Sequence, residues 1–260
     1  MKYIILLALF VSFYACNKSH REYYADGSLK SEYFLKNDKI EGLSKEFYES
    51  TGELKATASF KAGKLDGEKR TFYKNGILKS IENFTENQLN GDCRYFNNFG
   101  NLDSIKNFIL INPNFYKSID NDTYYKLIEN VFDDNLAGKK SQLNSVLRMN
   151  KKGEVDIKKS HYFEIALKKD SINLNDSLFA MLVFGYRFDG KKSEYLVIQF
   201  ANEEKDLYNV YETNENIVYF KDKPRKKGEN FLCGYIEEYT PYGSDTIRNV
   251  LFFKKKYFVK

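Results

Sequence analysis

The sequence predicts a mainly β protein: an N-terminal antiparallel sheet of hairpin repeats, a short helical connector and a C-terminal β-sandwich. Two observations predict the repeats. Gly27, Gly52, Gly76 and Gly100 recur at steps of 25, 24 and 24 residues, and Gly42, Gly67 and Gly91 recur between them at 25 and 24. A fixed period of this length is the signature of a repeat architecture. A third observation predicts the sandwich. From Lys151 onward, short apolar segments alternate with turn residues.

The repeat extends beyond glycine. The first series is followed by Ser28-Leu29-Lys30-Ser31, Glu53-Leu54-Lys55-Ala56, Ile77-Leu78-Lys79-Ser80 and Asn101-Leu102-Asp103-Ser104. Tyr24, Tyr48, Tyr73 and Phe96 stand three or four residues before it. Both glycine series read as tight turns, with Asp26-Gly27 and Asn75-Gly76 as hairpin signals. Each unit is then a two-stranded hairpin. A lone hairpin is marginal in water, so successive hairpins extend one sheet and share an apolar face. Leu, Tyr and Phe are expected on that face. Lys30, Lys55 and Lys79 are expected as a solvated row on the other, a candidate binding face.

The pattern Tyr-x-x-Gly-x-Leu-Lys, clearest over Phe47–Leu54 and Phe60–Leu78, resembles the MORN-variant repeats of bacterial proteins, some labelled antitoxin-like. The resemblance covers residues 22–107. It implies a hairpin sheet that binds or scaffolds, with protein or lipid partners in other members, and brings no catalytic residue.

Lys2 is followed by an apolar run, Tyr3 to Ala15, that ends at Cys16. Thirteen residues are too few to span a bilayer comfortably, and the pattern reads as a secretory signal. Ser12-Phe13-Tyr14-Ala15-Cys16 resembles a bacterial lipobox, with Phe13 and Tyr14 departing from the usual residues. It implies cleavage after residue 15 and acylation of Cys16, palmitate included. Asn17, in place of Asp, implies outer-membrane sorting by the enteric rule. The expected organisation is a signal at 1–15, a lipidated tether at 16–21, the repeat sheet at 22–107, the connector at 108–150 and the sandwich at 151–260. The antitoxin label suits a cytoplasmic protein, and this N-terminus argues against that compartment.

In the connector, Asp122-Thr123 could cap a helix with Tyr125, Ile128, Val131 and Phe132 on one face, and Ser141–Arg148 could form a second. The expected later strands are His161–Leu167, Leu178–Phe184, Tyr195–Phe200, Asn216–Phe220, Phe231–Glu237, Val250–Phe253 and Tyr257–Val259. Stretches of this half resemble the C-terminal Ig-like regions of Bacteroidetes-type envelope lipoproteins.

Chemistry-bearing residues are sparse. Cys93 and Cys233 lie in separate predicted domains and read as two unbridged buried thiols. His161 reads as a strand-end residue, and no His/Cys spacing supports a metal. Gly138-Lys139-Lys140-Ser141 lacks the glycine and residue order of a phosphate loop. The basic run from Lys221 to Gly228 reads as a solvated hairpin loop. Asp120, Asp122, Asp133 and Asp134 lack calcium-loop spacing. A formal charge of +5 on 260 residues predicts solubility, with no nucleic-acid binding. The leading expectation is a non-enzymatic envelope lipoprotein, without cofactor, whose repeat sheet meets an envelope protein or a glycan. An antitoxin or immunity protein, and a hydrolase with a site between domains, are the alternatives.

Overall fold

The computed structural model describes residues 18–111, 136–156, 159–184, 194–200, 208–213, 217–224, 226–242 and 245–260. All the regular structure in them is β. The first strands are β1 (Lys18–Tyr23), β2 (Leu29–Lys36), β3 (Lys39–Ile40), β4 (Gly42–Phe47), β5 (Leu54–Lys61) and β6 (Lys64–Phe72). Then follow β7 (Leu78–Thr85), β8 (Gln88–Leu89), β9 (Gly91–Phe96), β10 (Leu102–Ile111) and β11 (Lys140–Arg148). Together they form one eleven-stranded antiparallel sheet in the path β1-β2-β4-β5-β6-β7-β9-β10-β11, with β3 on β2 and β8 on β7.

Each unit has two kinds of turn. At one end of the strands, loops such as Tyr24–Ser28 and Tyr73–Ile77 close through paired backbone bonds, with Gly27, Gly52, Gly76 and Gly100 at φ of +69° to +85°. The Tyr48–Glu53 loop is one residue longer, with Ser50 at φ 66°. That single insertion produces the 25-residue step in both glycine series. At the other end the turning residues are Asn37-Asp38, Ala62-Gly63 and Glu86-Asn87, all at positive φ, as a two-residue hairpin turn with a matching twist requires.

Gly42, Gly67 and Gly91, expected in those turns, lie four residues past them. There the register slips: Glu32 faces Lys45 but Leu35 faces Ile40, so three steps on β2 match five on its neighbour. The same slip separates Ile81/Arg94 from Phe84/Leu89. A Cβ at Gly67 (φ 108°) would stand 3.1 Å from Ser59 Cβ, so close strand approach at the bulge adds to the demand for glycine.

The expected helix over Ser141–Arg148 is instead β11. Leu143, Val146 and Leu147 have helical spacing, but the segment pairs along its length with β10, from Ser104/Arg148 to Ile111/Lys140. The expected helix after Asp122-Thr123 lies outside the described residues.

The C-terminal strands are β12 (Phe163–Leu167), β13 (Ser171–Ile172), β14 (Leu178–Phe184), β15 (Glu194–Phe200), β16 (Tyr208–Thr213), β17 (Ile217–Asp222), β18 (Gly228–Tyr242) and β19 (Asp245–Val259). They make a three-stranded sheet, β12-β14-β17, and a five-stranded sheet, β13-β19-β18-β15-β16. One core contains residues of both, including Leu178, Leu182 and Phe220 with Leu232, Ile236 and Phe253. Segments predicted as two strands, Val250–Phe253 and Tyr257–Val259, form parts of β19. The basic run links strands of different sheets and is no hairpin loop.

Candidate binding surface

The repeat sheet is tied along both turn edges by bonds between successive units. Tyr24 Oη donates to the Phe47 carbonyl at 2.9 Å, Tyr48 Oη to Phe72 at 2.7 Å and Tyr73 Oη to Phe96 at 2.9 Å. The fourth position of this series is Asn97, not Phe96. Its carbonyl accepts from Gly100 as Tyr73 accepts from Gly76, and its Oδ1 accepts from Phe99 and Asn101 within its own loop. The ladder ends where no further unit follows.

The opposite edge repeats another bond. The Gly63 amide donates to the Ile40 carbonyl at 2.9 Å, and the Asn87 amide to Leu65 at 2.8 Å. Side chains reinforce it: the Ala62 amide donates to Glu41, and the Leu65 amide to Asn87 Oδ1. After the third unit, β11 closes the series. Ser141 donates its amide to Gln88 Oε1 and its hydroxyl to the Leu89 carbonyl. Gly138 turns the chain into β11, and the Lys139 carbonyl accepts from Gln88.

Registered neighbours share a face of a sheet. One row runs Glu22, Ser31, Glu46, Ala56, Thr71, Ser80, Tyr95, Ser104. Thr71 and Ser80 share a 2.7 Å hydroxyl bond, and hydrogen bonds from Tyr33 and Ser31 hold the Glu22 carboxyl below its usual range. On the opposite face the adjacent row runs Arg21, Glu32, Lys45, Thr57, Arg70, Ile81, Arg94, Ile105. It holds four exposed cations, Arg21, Lys45, Arg70 and Arg94, on alternate strands about 10 Å apart. Arg21 pairs with Glu32 at 2.8 Å and Arg70 with Glu68 at 2.6 Å.

Lys30, Lys55 and Lys79 occupy a different place. Each sits at a bulge beside the Tyr loop, between the register pairs Glu22/Ser31 and Tyr23/Leu29 or their equivalents. Lys30 reaches Glu22 at 3.6 Å and Lys55 reaches Glu46 at 2.6 Å, a bond that holds the Lys55 ammonium above its usual range. Lys79 lies 5.6 Å over the Tyr73 ring. Two of the three are thus turned onto carboxylates of the first row. Sequence reasoning missed Arg21, Lys45, Arg70 and Arg94, though a cation recurring at 24, 25 and 24 residues is visible in it.

Residues 18–37 and 65–86 match the MORN repeat variant family. The match takes in β1, β2 and their turns, and again β6 and β7, so it samples alternate units of the same sheet. The unit between them carries the lengthened Tyr48–Glu53 loop. No curated protein and no solved structure matches the chain.

The repeat sheet is joined to the C-terminal strands by side chains as well as by the chain itself. Asn144 on β11 is buried; its Nδ2 donates to the Phe252 carbonyl and its Oδ1 accepts the Phe252 amide, both at 2.9 Å. Val146 and His161 exchange two backbone bonds of 2.7 Å, which places His161 at a strand edge. A cleft of about 710 Å³ lies at this junction, lined by residues that include Asn90, Asp92, Asn107, Glu164 and Lys254. Cys93 and Cys233 are free; burial raises both thiols, Cys233 to about 11. Among the described residues no group of His, Cys, Asp and Glu is arranged to hold a metal, and no helix is long and apolar enough to cross a membrane. Cys16 lies outside the described residues.

Proposed function

We propose that this chain is a non-enzymatic cell-envelope lipoprotein whose MORN-variant sheet is a binding or scaffolding surface for an envelope protein or glycan. The observation that carries the reading is the pair of cross-unit bond series. They brace a periodic surface along both edges and fix the spacing of its side chains, which a scaffold needs before any ligand arrives. The Arg21, Lys45, Arg70 and Arg94 row is the part of that surface suited to an anionic partner, and Lys30, Lys55 and Lys79 border the other face.

Anchoring through acylated Cys16 is supported by the short apolar run before it and by the start of β1 two residues after it. The lipid would then hold the first repeat close to the membrane, and Asn17 favours the outer one. An Ig-like reading of the C-terminal unit is supported by its strand order. A three-stranded sheet faces a five-stranded one, and the short β13 runs parallel to the last strand, β19.

Two measurements test this. Membrane fractionation of Cys16→Ser should move the protein to the soluble fraction; retention with the membranes would falsify the anchor. Crosslinking of the anchored protein should recover a specific partner that is lost on joint Lys45→Glu and Arg94→Glu substitution. Recovery of the same partner by that variant removes the row from the reading.

A further inference from the structure

The β12-β14-β17 sheet buries one side in the C-terminal core and turns the other outward. Strand alternation places Phe179, Met181 and Val183 of β14 on the outer side with Ile217 and Tyr219 of β17. The registers make them neighbours: Met181 faces Tyr219, Val183 faces Ile217, and Phe179 faces Lys221. Tyr219 is 70% exposed, Phe179 44% and Ile217 38%. Exposed apolar residues scattered singly are ordinary, but a contiguous set marks an interaction site.

Cations gather at one end of the strip. The ammonium groups of Lys168 and Lys221 stand 5.5 and 5.7 Å from the Phe179 ring centroid, and their neighbours Lys169 and Lys223 are exposed. The exposed Asp170 and Asp176 lie near these lysines, so four cations meet two carboxylates at this end, and the exposed Glu164 on β12 faces Val183 at the other end of the strip. At its Phe179 end the face offers apolar area and an excess of positive charge but few directional groups, Tyr219 Oη being the hydroxyl within the strip and Glu164 lying beyond it. Protein interfaces use many directed hydrogen bonds, whereas a fluid surface needs only area and charge.

The geometry points to an anionic lipid surface as the occupant of this face. The rings and aliphatic side chains enter the headgroup layer, and Lys168 and Lys221 swing from the Phe179 ring to lipid phosphates. This contact is independent of Cys16 and would lay the C-terminal unit on the membrane as a second point of attachment.

The chain contains no tryptophan, so Tyr219→Trp creates a single reporter. In the full chain carrying Cys16→Ser, that reporter should shift to the blue and be quenched by brominated acyl chains in vesicles of phosphatidylcholine with phosphatidylglycerol. With phosphatidylcholine alone the change should be much smaller. A control, Phe99→Trp in a repeat loop, should not respond. Adding Lys168→Gln and Lys221→Gln should weaken partition about 25-fold, the weight of two lysines at an anionic surface, with the thermal midpoint unchanged. An unmoved spectrum, equal response to neutral vesicles, or no effect of the lysine pair overturns the proposal. So does a response to soluble polyglutamate in place of vesicles, which would make the partner an acidic protein.

Discussion

Between β1 and β9 of the repeat sheet, the buried side chains are small: Ala56, Ala58, Ser80 and Cys93. In the C-terminal unit they are large, with Leu178, Leu182, Phe220, Leu232, Ile236 and Phe253 meeting in one core. The repeat sheet compensates with hydrogen bonds that recur from unit to unit, each joining one unit to the next. The C-terminal unit draws on apolar contacts between strands far apart in the chain. Similar antiparallel structure thus rests on local, divisible bonding in one region and on collective burial in the other. The first should lose stability in small independent steps, and the second in large ones.

The largest effect is expected from Leu232→Ala, where a fully buried side chain leaves a cavity costing about 2–5 kcal/mol. Ala58→Gly in the repeat sheet should cost about 1 kcal/mol. Urea denaturation of both variants checks the contrast, and equal losses would break it. Next comes Asn144→Ala, at the junction. It removes both bonds from the Asn144 side chain to the backbone of Phe252 in a buried setting, at about 1–3 kcal/mol. Hydrogen exchange should quicken at Phe252. Unchanged protection there would mean that the two regions do not depend on this bond.

Within the repeat sheet, Gly67→Ala should cost more than Gly27→Ala. Both glycines have positive φ, for which an L-residue forfeits about 1 kcal/mol. At Gly67 the new methyl also meets Ser59, whereas nothing lies within 4 Å at Gly27. Equal thermal shifts would show that Ser59 gives way freely.

The same contrast explains what the sequence could reveal. Loop glycines and hairpins were legible because positive φ and turn chemistry are local. The two-residue turns were hidden because Ala62, Glu86 and Asn87 accept positive φ there, drawing the eye to glycines a few residues later. Ser141–Arg148 misled because its apolar spacing suits a helix, while its partner strand β10 is some forty residues away in sequence. Leu178–Phe184 was found to the residue, since a run of apolar residues bounded by turn signals needs no partner to be read. The Arg21, Lys45, Arg70 and Arg94 row was missed although periodic, because a charge on an exposed face has no local structural consequence that marks it.

Smaller still should be the loss from Tyr48→Phe, about 0.5–1.5 kcal/mol for one hydroxyl bond. Tyr73→Phe should cost about the same, and the double variant should cost the sum, as independent neighbour bonds require. A strongly non-additive pair would show that the ladder acts collectively, and the contrast with the C-terminal core would narrow.

The smallest expected effect concerns two equivalent loop residues. Asp26 accepts the Ser28 hydroxyl at 2.6 Å, the Ser28 amide at 2.9 Å and, from the next loop, the Ser50 hydroxyl at 2.8 Å. These bonds favour the charged form, the Ser28 hydroxyl foremost, and hold its pKa below the usual value of 3.8. The folded pKa lies below the unfolded one, so the contribution is present above the ordinary carboxylate range. It is lost as pH falls through that range and then through the lowered folded value. Asn75 holds the equivalent place without a charge: its Oδ1 accepts the Ile77 amide at 3.1 Å and its Nδ2 reaches the Asn98 carbonyl at 3.4 Å. The chain therefore carries its own neutral control. In an acid titration followed by amide chemical shifts, Ser28 and Ser50 should move together with a midpoint below 3.8, while Ile77 stays still. Asp26→Asn should abolish the movement and keep the turn. If Ser50 does not follow Ser28, the carboxylate closes only its own loop, and the bonding between these two loops rests on the Ser50 amide and Ser28 hydroxyl, 3.2 Å apart.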